Sequence, residues 1–466
     1  MFNLIQRSSG YVFLCFFIEL LASCGGSPVH NSRLGFSANF ESGSLPVVKQ
    51  LDAQGLSYEL ALRADNDDAN LPDNFRTWWY FQIDKVPTQQ SVHLEFTRFG
   101  FPFYFVPVYS YDGKQWDYFD EREVTLQPGC HAATLTNCRL IVNKNFTEPT
   151  VWIVRTFPYT TQDLANFLST ISHRSYVQIE TLGFSPKLTI PLQLITISDT
   201  TIISPKKTVF IHARTHAAET GPSFVVEGLI WAALADDVVG KKLRQNYIFK
   251  IVPMHNPDGV YVGNYRTNAT SINLEKQWIF GLNNPYLDDE AAWENQLVNQ
   301  GAMVPALLNQ AAPVVLALNL HSSNTEPDTA AFIFPHFGSD PEKYSAAQQH
   351  LWSKQNAFIR SVAMHYDGRV EPPPVDGGNT FLNSFYPETW WWENTADAVT
   401  AMTAEVTYGR AGFDHWVTQN DLRNFGVAIA QAIADMDLLQ AQGIRNGDTD
   451  AVFRPSIKPE IYHQPE

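Results

Sequence analysis

Apolar positions change their spacing once along the chain, and the change divides it. From Leu34 to about Pro158 they alternate over short runs, clearest at Tyr58-Glu59-Leu60-Ala61-Leu62, 78–83, Val92-His93-Leu94-Glu95-Phe96 and 151–154. A period of two predicts strands, and the polar clusters Asn66-Asp67-Asp68 and Asp112-Gly113 predict turns between them. No helical pattern interrupts this stretch, so a small antiparallel β-sandwich is expected. Its many aromatic residues read as core and inter-domain packing.

Thr160-Thr161-Gln162-Asp163 then forms a capping box ahead of Leu164, Phe167, Leu168 and Ile171, which predicts the first helix of a second domain. Beyond it, strand-like runs at 188–197, 209–211, 248–252 and 314–320 alternate with helical ones at 223–234, 290–308, 345–365 and 419–442. That alternation predicts an α/β domain with a largely parallel or mixed sheet. The expected organisation is a leader over 1–23, a tether over 24–33, the sandwich over 34–158, the α/β domain over 159–445 and a tail over 446–466.

Composition narrows the partners. With 44% hydrophobic and 13% aromatic residues the chain is globular, and its net charge of -16 argues against a nucleic-acid surface or a polybasic membrane patch. No apolar run reaches the roughly 18 residues of a spanning helix. The start has a positive Arg7, an apolar run over 11–21 and then Leu21-Ala22-Ser23-Cys24, an ending that resembles a bacterial lipoprotein signal. The resemblance implies lipid on Cys24 and an exported protein, periplasmic or anchored to the outer membrane. Glu19 within the apolar run leaves two alternatives open, secretion without lipid and a buried N-terminal segment. Cys15 falls in the leader, so Cys130 and Cys138 remain as an even pair; a disulfide and two free thiols both fit the spacing.

The candidate chemistry starts at Phe210-Ile211-His212-Ala213-Arg214-Thr215-His216-Ala217-Ala218-Glu219. His216 and Glu219 stand three apart at an expected strand-to-helix junction, a spacing that lets an imidazole and a carboxylate converge on one ion. His212 with His216 gives His-x-x-x-His, but Ala213 stands where a His-Glu-x-x-His site needs its glutamate. His321 ends the apolar run 314–320, and Glu405 lies in the alternating run Met402-Thr403-Ala404-Glu405-Val406. Two histidines and a glutamate, with one position left to water, form a catalytic zinc set. An acid in so apolar a setting has a partner or a job.

These stretches resemble the zinc metallocarboxypeptidase family, in its cytosolic-carboxypeptidase-like branch. The likeness rests on Arg214 to Thr220, Pro253-Met254-His255-Asn256-Pro257-Asp258-Gly259-Val260, Gly263-Asn264-Tyr265-Arg266, Asn319-Leu320-His321-Ser322 and Thr403-Ala404-Glu405. In the sandwich it rests on Asn39-Phe40-Glu41-Ser42-Gly43 and Trp78-Trp79-Tyr80-Phe81, and at the junction on Phe157-Pro158-Tyr159-Thr160. The resemblance implies a carboxypeptidase-like α/β/α domain with a mixed sheet after the β-sandwich. It implies Zn2+ on His216, Glu219 and His321, Arg266 as polariser of the scissile carbonyl, Glu405 as general base, and a peptide or peptide-like substrate. His255 and Asp258 read as structural.

One motif departs. Where the family has Asp-Leu-Asn-Arg, this chain has Asn273-Leu274-Glu275-Lys276. The family's Asn-Arg pair grips the terminal carboxylate of the substrate, so Glu275 and Lys276 hold substrate-binding positions with altered chemistry. Hydrolysis is thus a firmer expectation than trimming of free C-termini. An amidase of cell-wall peptides and an inactive relative acting as a binding module are the alternatives. Retention of Glu405 speaks against the second, since a binding role needs no base. A serine hydrolase lacks its Gly-x-Ser-x-Gly elbow.

Overall fold

The computed structural model describes residues 34–442 apart from 131–134, 136, 282 and 374–384; the expected leader, the tether, Cys24 and the tail beyond 445 lie outside these residues.

Residues up to Val154 form two five-stranded sheets. One runs Gly35–Ser37, Tyr80–Asp84, Thr150–Val154, Val108–Ser110, Asp117–Tyr118, the other Val47–Gln50, Ser57–Ala61, Ser91–Thr97, Arg139–Asn145, Val124–Leu126. Pairing is antiparallel except between Ser57–Ala61 and Ser91–Thr97, which run parallel. The run 78–83 is buried on both sides. Trp79, Phe81 and Ile83 enter the sandwich core, whereas Trp78 and Tyr80 pack with Phe157 and Tyr159 in a core shared with the second domain. Cys130 and Cys138 are joined as a disulfide, with Cα atoms 4.7 Å apart.

The capping box forms as expected, Thr160 accepting from the Asp163 N–H, and the helix spans Thr161–Ile171. The sheet that follows has seven strands in the order Val177–Phe184, Pro191–Ile197, Tyr247–Val252, Lys207–Ala213, Val314–Ser323, Thr400–Thr407, Phe332–Phe334. Its four middle strands are mutually parallel and its edges antiparallel, so it is mixed. Alternate residues of a strand face opposite sides. Val209, Ile211 and Ala213 accordingly pack in one core with helices Gly221–Leu234 and Gln419–Gln442, while Phe210 packs in another with Trp278, Met303 and Trp391. The two helices touch at Gly228, where a Cβ would strike the Arg423 carbonyl. None of the described helices is long and apolar enough to cross a membrane.

The sandwich grips the α/β domain beside the future site. Ser42 donates its N–H to Tyr261 O (2.9 Å) and its hydroxyl to Val260 O (2.7 Å). Gly263, at φ 74°, comes so close to Gly43 that a side chain would collide with its carbonyl. Asn66 and Asn264 exchange hydrogen bonds of 3.0 and 3.1 Å.

Candidate active site

Strand Lys207–Ala213 ends in a loop, and helix Gly221–Leu234 begins after it, so His216 and Glu219 lie in a turn before the helix and not within it. Arg214 sets that turn. Its backbone is left-handed (φ 62°), and its buried guanidinium donates to Tyr159 O, Ala217 O and Ser223 Oγ. A five-donor fork buried under a loop leaves the loop few alternatives.

Strand register supplies the rest. His321 pairs with Glu405 across adjacent parallel strands, Asn319 pairs with Thr403, and Phe332 and Phe334 meet Glu405 and Thr403 from the other side. Positions two apart share a face, so these six side chains stand in two rows on one side of the sheet. His212, in register with Asn319, is buried among His255 and Trp278 and kept neutral by burial, near 3. It lies outside the cluster, and His255 and Asp258 are likewise buried away from the cavity, Asp258 accepting from Ser185 Oγ and Lys187 N.

His216, Glu219 and His321 offer donor atoms within 4.8 Å of one another, all buried. His321 Nδ1 lies 3.1 Å from His216 Nδ1 and 2.8 Å from Glu219 Oε2, and His216 Nδ1 lies 2.8 Å from Glu219 Oε1. The opposite ring nitrogens face acceptors: His321 Nε2 meets Glu275 Oε2 at 3.1 Å and His216 Nε2 meets Asn273 Oδ1 at 3.2 Å. Protons on both Nε2 atoms satisfy those contacts and turn both Nδ1 lone pairs toward each other and toward a carboxylate. Four acceptors that converge this way repel one another unless positive charge sits between them. A proton meets part of that need: against burial, Glu275 and Glu219 hold His321 well above the usual imidazole range. A divalent cation meets it fully, and this donor set with its outer hydrogen bonds suits zinc.

A cavity of about 340 Å3 opens on the cluster. Arg266 lines it, Nη1 being 3.8 Å from Glu219 Oε1, and Glu405 lines it as a half-buried carboxylate whose Oε2 has no hydrogen-bond partner. Burial pushes the Glu405 carboxyl up to about 8, with Glu219 and Glu275 adding to the rise and His321 and Arg266 opposing it. Asn74 and Phe101 bring the sandwich into the cavity wall.

Glu275 and Lys276 part company. Glu275 is buried in the cavity wall, held by His321 Nε2 and by Asn319 Nδ2 (2.8 Å), whereas Lys276 is exposed and does not line it. Tyr386 joins the lining at the start of helix Pro387–Thr395. Three contributors have no counterpart in the sequence reading: Glu388, His336 and, from the sandwich, Asp65, which accepts the backbone N–H groups of Tyr265, Arg266 and Thr267.

Residues 36–153 match the cytosolic carboxypeptidase N-terminal domain, and residues 166–326 match the zinc carboxypeptidase family. The chain carries a zinc carboxypeptidase domain behind a cytosolic carboxypeptidase N-terminal domain. Cytosolic carboxypeptidase 6 of Mus musculus is 28% identical over 276 residues, 56% of this chain and 49% of its own length. Its Caenorhabditis elegans namesake is 25% identical over 69% of this chain and 68% of its own, and cytosolic carboxypeptidase 3 of Mus musculus 31% identical over 54% and 26%. The chain thus spans half or less of its mouse relatives' length. The metallo-carboxypeptidase of Burkholderia cenocepacia shares the fold at a TM-score of 0.70 and 21% identity, over 87% of this chain and 98% of that one. That of Pseudomonas aeruginosa shares it at 0.65 and 18%, over 86% and 98%. The zinc carboxypeptidase match contains His216, Glu219, Arg266, Glu275 and His321; Glu405 lies beyond it and reaches the same cavity through strand register.

Proposed function

We propose that the protein is a zinc metallopeptidase that hydrolyses peptide-type amide bonds near a chain end, with His216, Glu219 and His321 as metal ligands, Arg266 as carbonyl polariser and Glu405 as general base. The observation that carries this reading is the convergence of a His-Glu-His cluster, an arginine and an unpartnered carboxylate oxygen on one cavity. Zinc, when bound, supplies a Lewis acid and a water acidified toward neutrality. Glu405 receives the proton of the attacking water on its free Oε2 and returns it to the leaving amine. The Arg266 guanidinium, half-buried beside the cluster, faces the oxygen on which negative charge develops. Arg155, buried under the cavity wall with a 3.2 Å bond to Asn324 Oδ1, helps fix the segment after His321.

The test joins metal analysis to turnover. The full chain should hold about one zinc, and His321→Ala should lose most of it. Glu405→Gln should keep zinc and fold while turnover falls by about 100-fold or more. Zinc retained in the first variant, or activity in the second, would overturn the assignment. We further propose that Cys24 carries lipid, on the support of the Leu21-Ala22-Ser23-Cys24 ending and the apolar run before it.

A further inference from the structure

The cavity has an imbalance that the proposed reaction does not use. Four carboxyl groups line it, Glu219, Glu275, Glu388 and Glu405, against one permanently charged cation among the described residues, Arg266. Glu219 serves the metal cluster and Glu405 the proton transfer. Glu275 and Glu388 remain, only 6% and 3% exposed.

These two are neighbours. Asn319 Nδ2 donates to Glu275 Oε1 at 2.8 Å, and the same side-chain amide hydrogen-bonds Glu388, so the carboxylates sit on either side of one small group. Thr403 Oγ1 donates to Glu388 Oε1 at 2.7 Å. The protein's donors here are the Asn319 amide, the Thr403 hydroxyl, the His321 Nε2–H and the backbone N–H of Glu388 itself, against four carboxyl oxygens and Asn319 Oδ1, which is buried without a partner. Lys276 is turned to solvent and adds nothing.

A second observation points the same way. His336 lines the cavity, is 2% exposed, and has no hydrogen-bond partner at either ring nitrogen. It is held by ring contacts with Trp392 (4.7 Å between centroids) and Phe334 (6.5 Å) and not by polar ones. Buried polar atoms are nearly always satisfied, and here Asn319 Oδ1 and the lone-pair nitrogen of His336 are acceptors left without a donor beside carboxyl oxygens that can each accept a second bond, a set that a ligand rich in donors would complete. A carboxylate brings none.

We propose that this wall binds a cationic end group of the substrate, an ammonium or guanidinium, seated between Glu275 and Glu388 with His336 as a further acceptor. The proposal rests on reading the cavity as the substrate site of a peptide hydrolase, and it makes Glu388 a specificity-determining residue. An ammonium with three donors, or a guanidinium with five, fills the acceptor set. A cation between them favours the ionised form of both carboxyl groups, whereas an acidic end group would meet the Glu275 carboxylate unpaired and be disfavoured.

The experiment uses the zinc-loaded full chain and short acylated peptides that differ only in the last residue: lysine, arginine, norleucine or glutamate, each with a free or an amidated end. Turnover is measured on wild type, and binding by calorimetry on Glu405→Gln, which leaves the peptides intact. Lysine- and arginine-ended peptides should bind about tenfold or more tighter than the norleucine isostere, glutamate-ended ones weakest, and Glu388→Gln should erase most of the difference. Norleucine- or glutamate-ended peptides binding or turning over as well as lysine-ended ones would overturn the proposal, and the turnover comparison, made on wild type, needs no variant to fold. The two readings fail separately: binding with cation preference but no turnover of any peptide removes the hydrolase assignment alone, and turnover without preference removes this inference alone.

Discussion

Asp65 accepts the backbone N–H of Arg266 at 2.8 Å, so a carboxylate of the sandwich domain holds the loop that carries the candidate carbonyl polariser. The same carboxylate takes the N–H groups of Tyr265 and Thr267, at 2.6 and 2.7 Å, and the Thr267 hydroxyl at 3.0 Å. The N-terminal domain is therefore part of the site's scaffold.

Asp65→Asn tests that role. It turns one acceptor into an amide donor facing backbone donors, at a cost of roughly 2 kcal/mol or more in a buried site. Because Arg266 is no metal ligand, zinc content should be unchanged while kcat falls by about tenfold or more and KM moves less. Equal kcat in variant and wild type would show that the loop holds its shape without the carboxylate.

Glu388 gives a prediction in pH. Burial, with the negative charge of Glu275 adding to it, pushes its carboxyl from 4.5 up to about 7. The folded state then binds more protons than the unfolded one between those values. The group's contribution to stability is fully present below about pH 4.5 and is lost as pH rises through about 7, by about 3 kcal/mol at most. In metal-free protein, Glu388→Gln should thus gain on wild type in denaturant midpoint between pH 5 and 8. A constant difference across that range would contradict the shift.

Much of this was legible because the informative signals are local. The Thr160–Asp163 box, the alternation at 92–96 and the apolar run ending at His321 state their structure within a few residues. Asp65 is different. It reads as one acid in a polar turn, and its partners are about 200 residues away in sequence. Glu388 is hidden for another reason: its short helix carries Trp390, Trp391 and Trp392 in succession, all buried, so its apolar positions spread over several faces and do not mark an acid as pointing inward. His336 follows an alternation of Phe332 and Phe334 too short to fix a face. Glu275 and Lys276 are adjacent in a single 3-10 turn, and only the fold decides which of the two enters the cavity.

The proposed lipid on Cys24 predicts that the mature protein partitions with membranes and that Cys24→Ser releases it or blocks its processing. Mass spectrometry of the N-terminus checks this. An unmodified cysteine, or an uncleaved leader, would refute the anchor.

The last prediction separates the two histidines by what stands behind them. His321 Nε2 donates to a carboxylate, Glu275, and His216 Nε2 to a neutral amide, Asn273, at nearly the same distance. A carboxylate behind an imidazole makes its other nitrogen a stronger donor to a metal, and losing such an outer partner typically costs about 10- to 100-fold in metal affinity. Glu275→Gln should therefore weaken zinc binding by about tenfold, and Asn273→Asp should strengthen it, because Asn273 Oδ1 also accepts the Glu275 N–H and so is already oriented by its own backbone turn. Chelator competition measures both without any substrate. The order expected is Asn273→Asp tightest, then wild type, then Glu275→Gln. Equal affinities in all three would mean that the outer hydrogen bonds orient the rings without tuning them, and an inverted order would mean that Glu275 is held against the histidine by Asn319 alone.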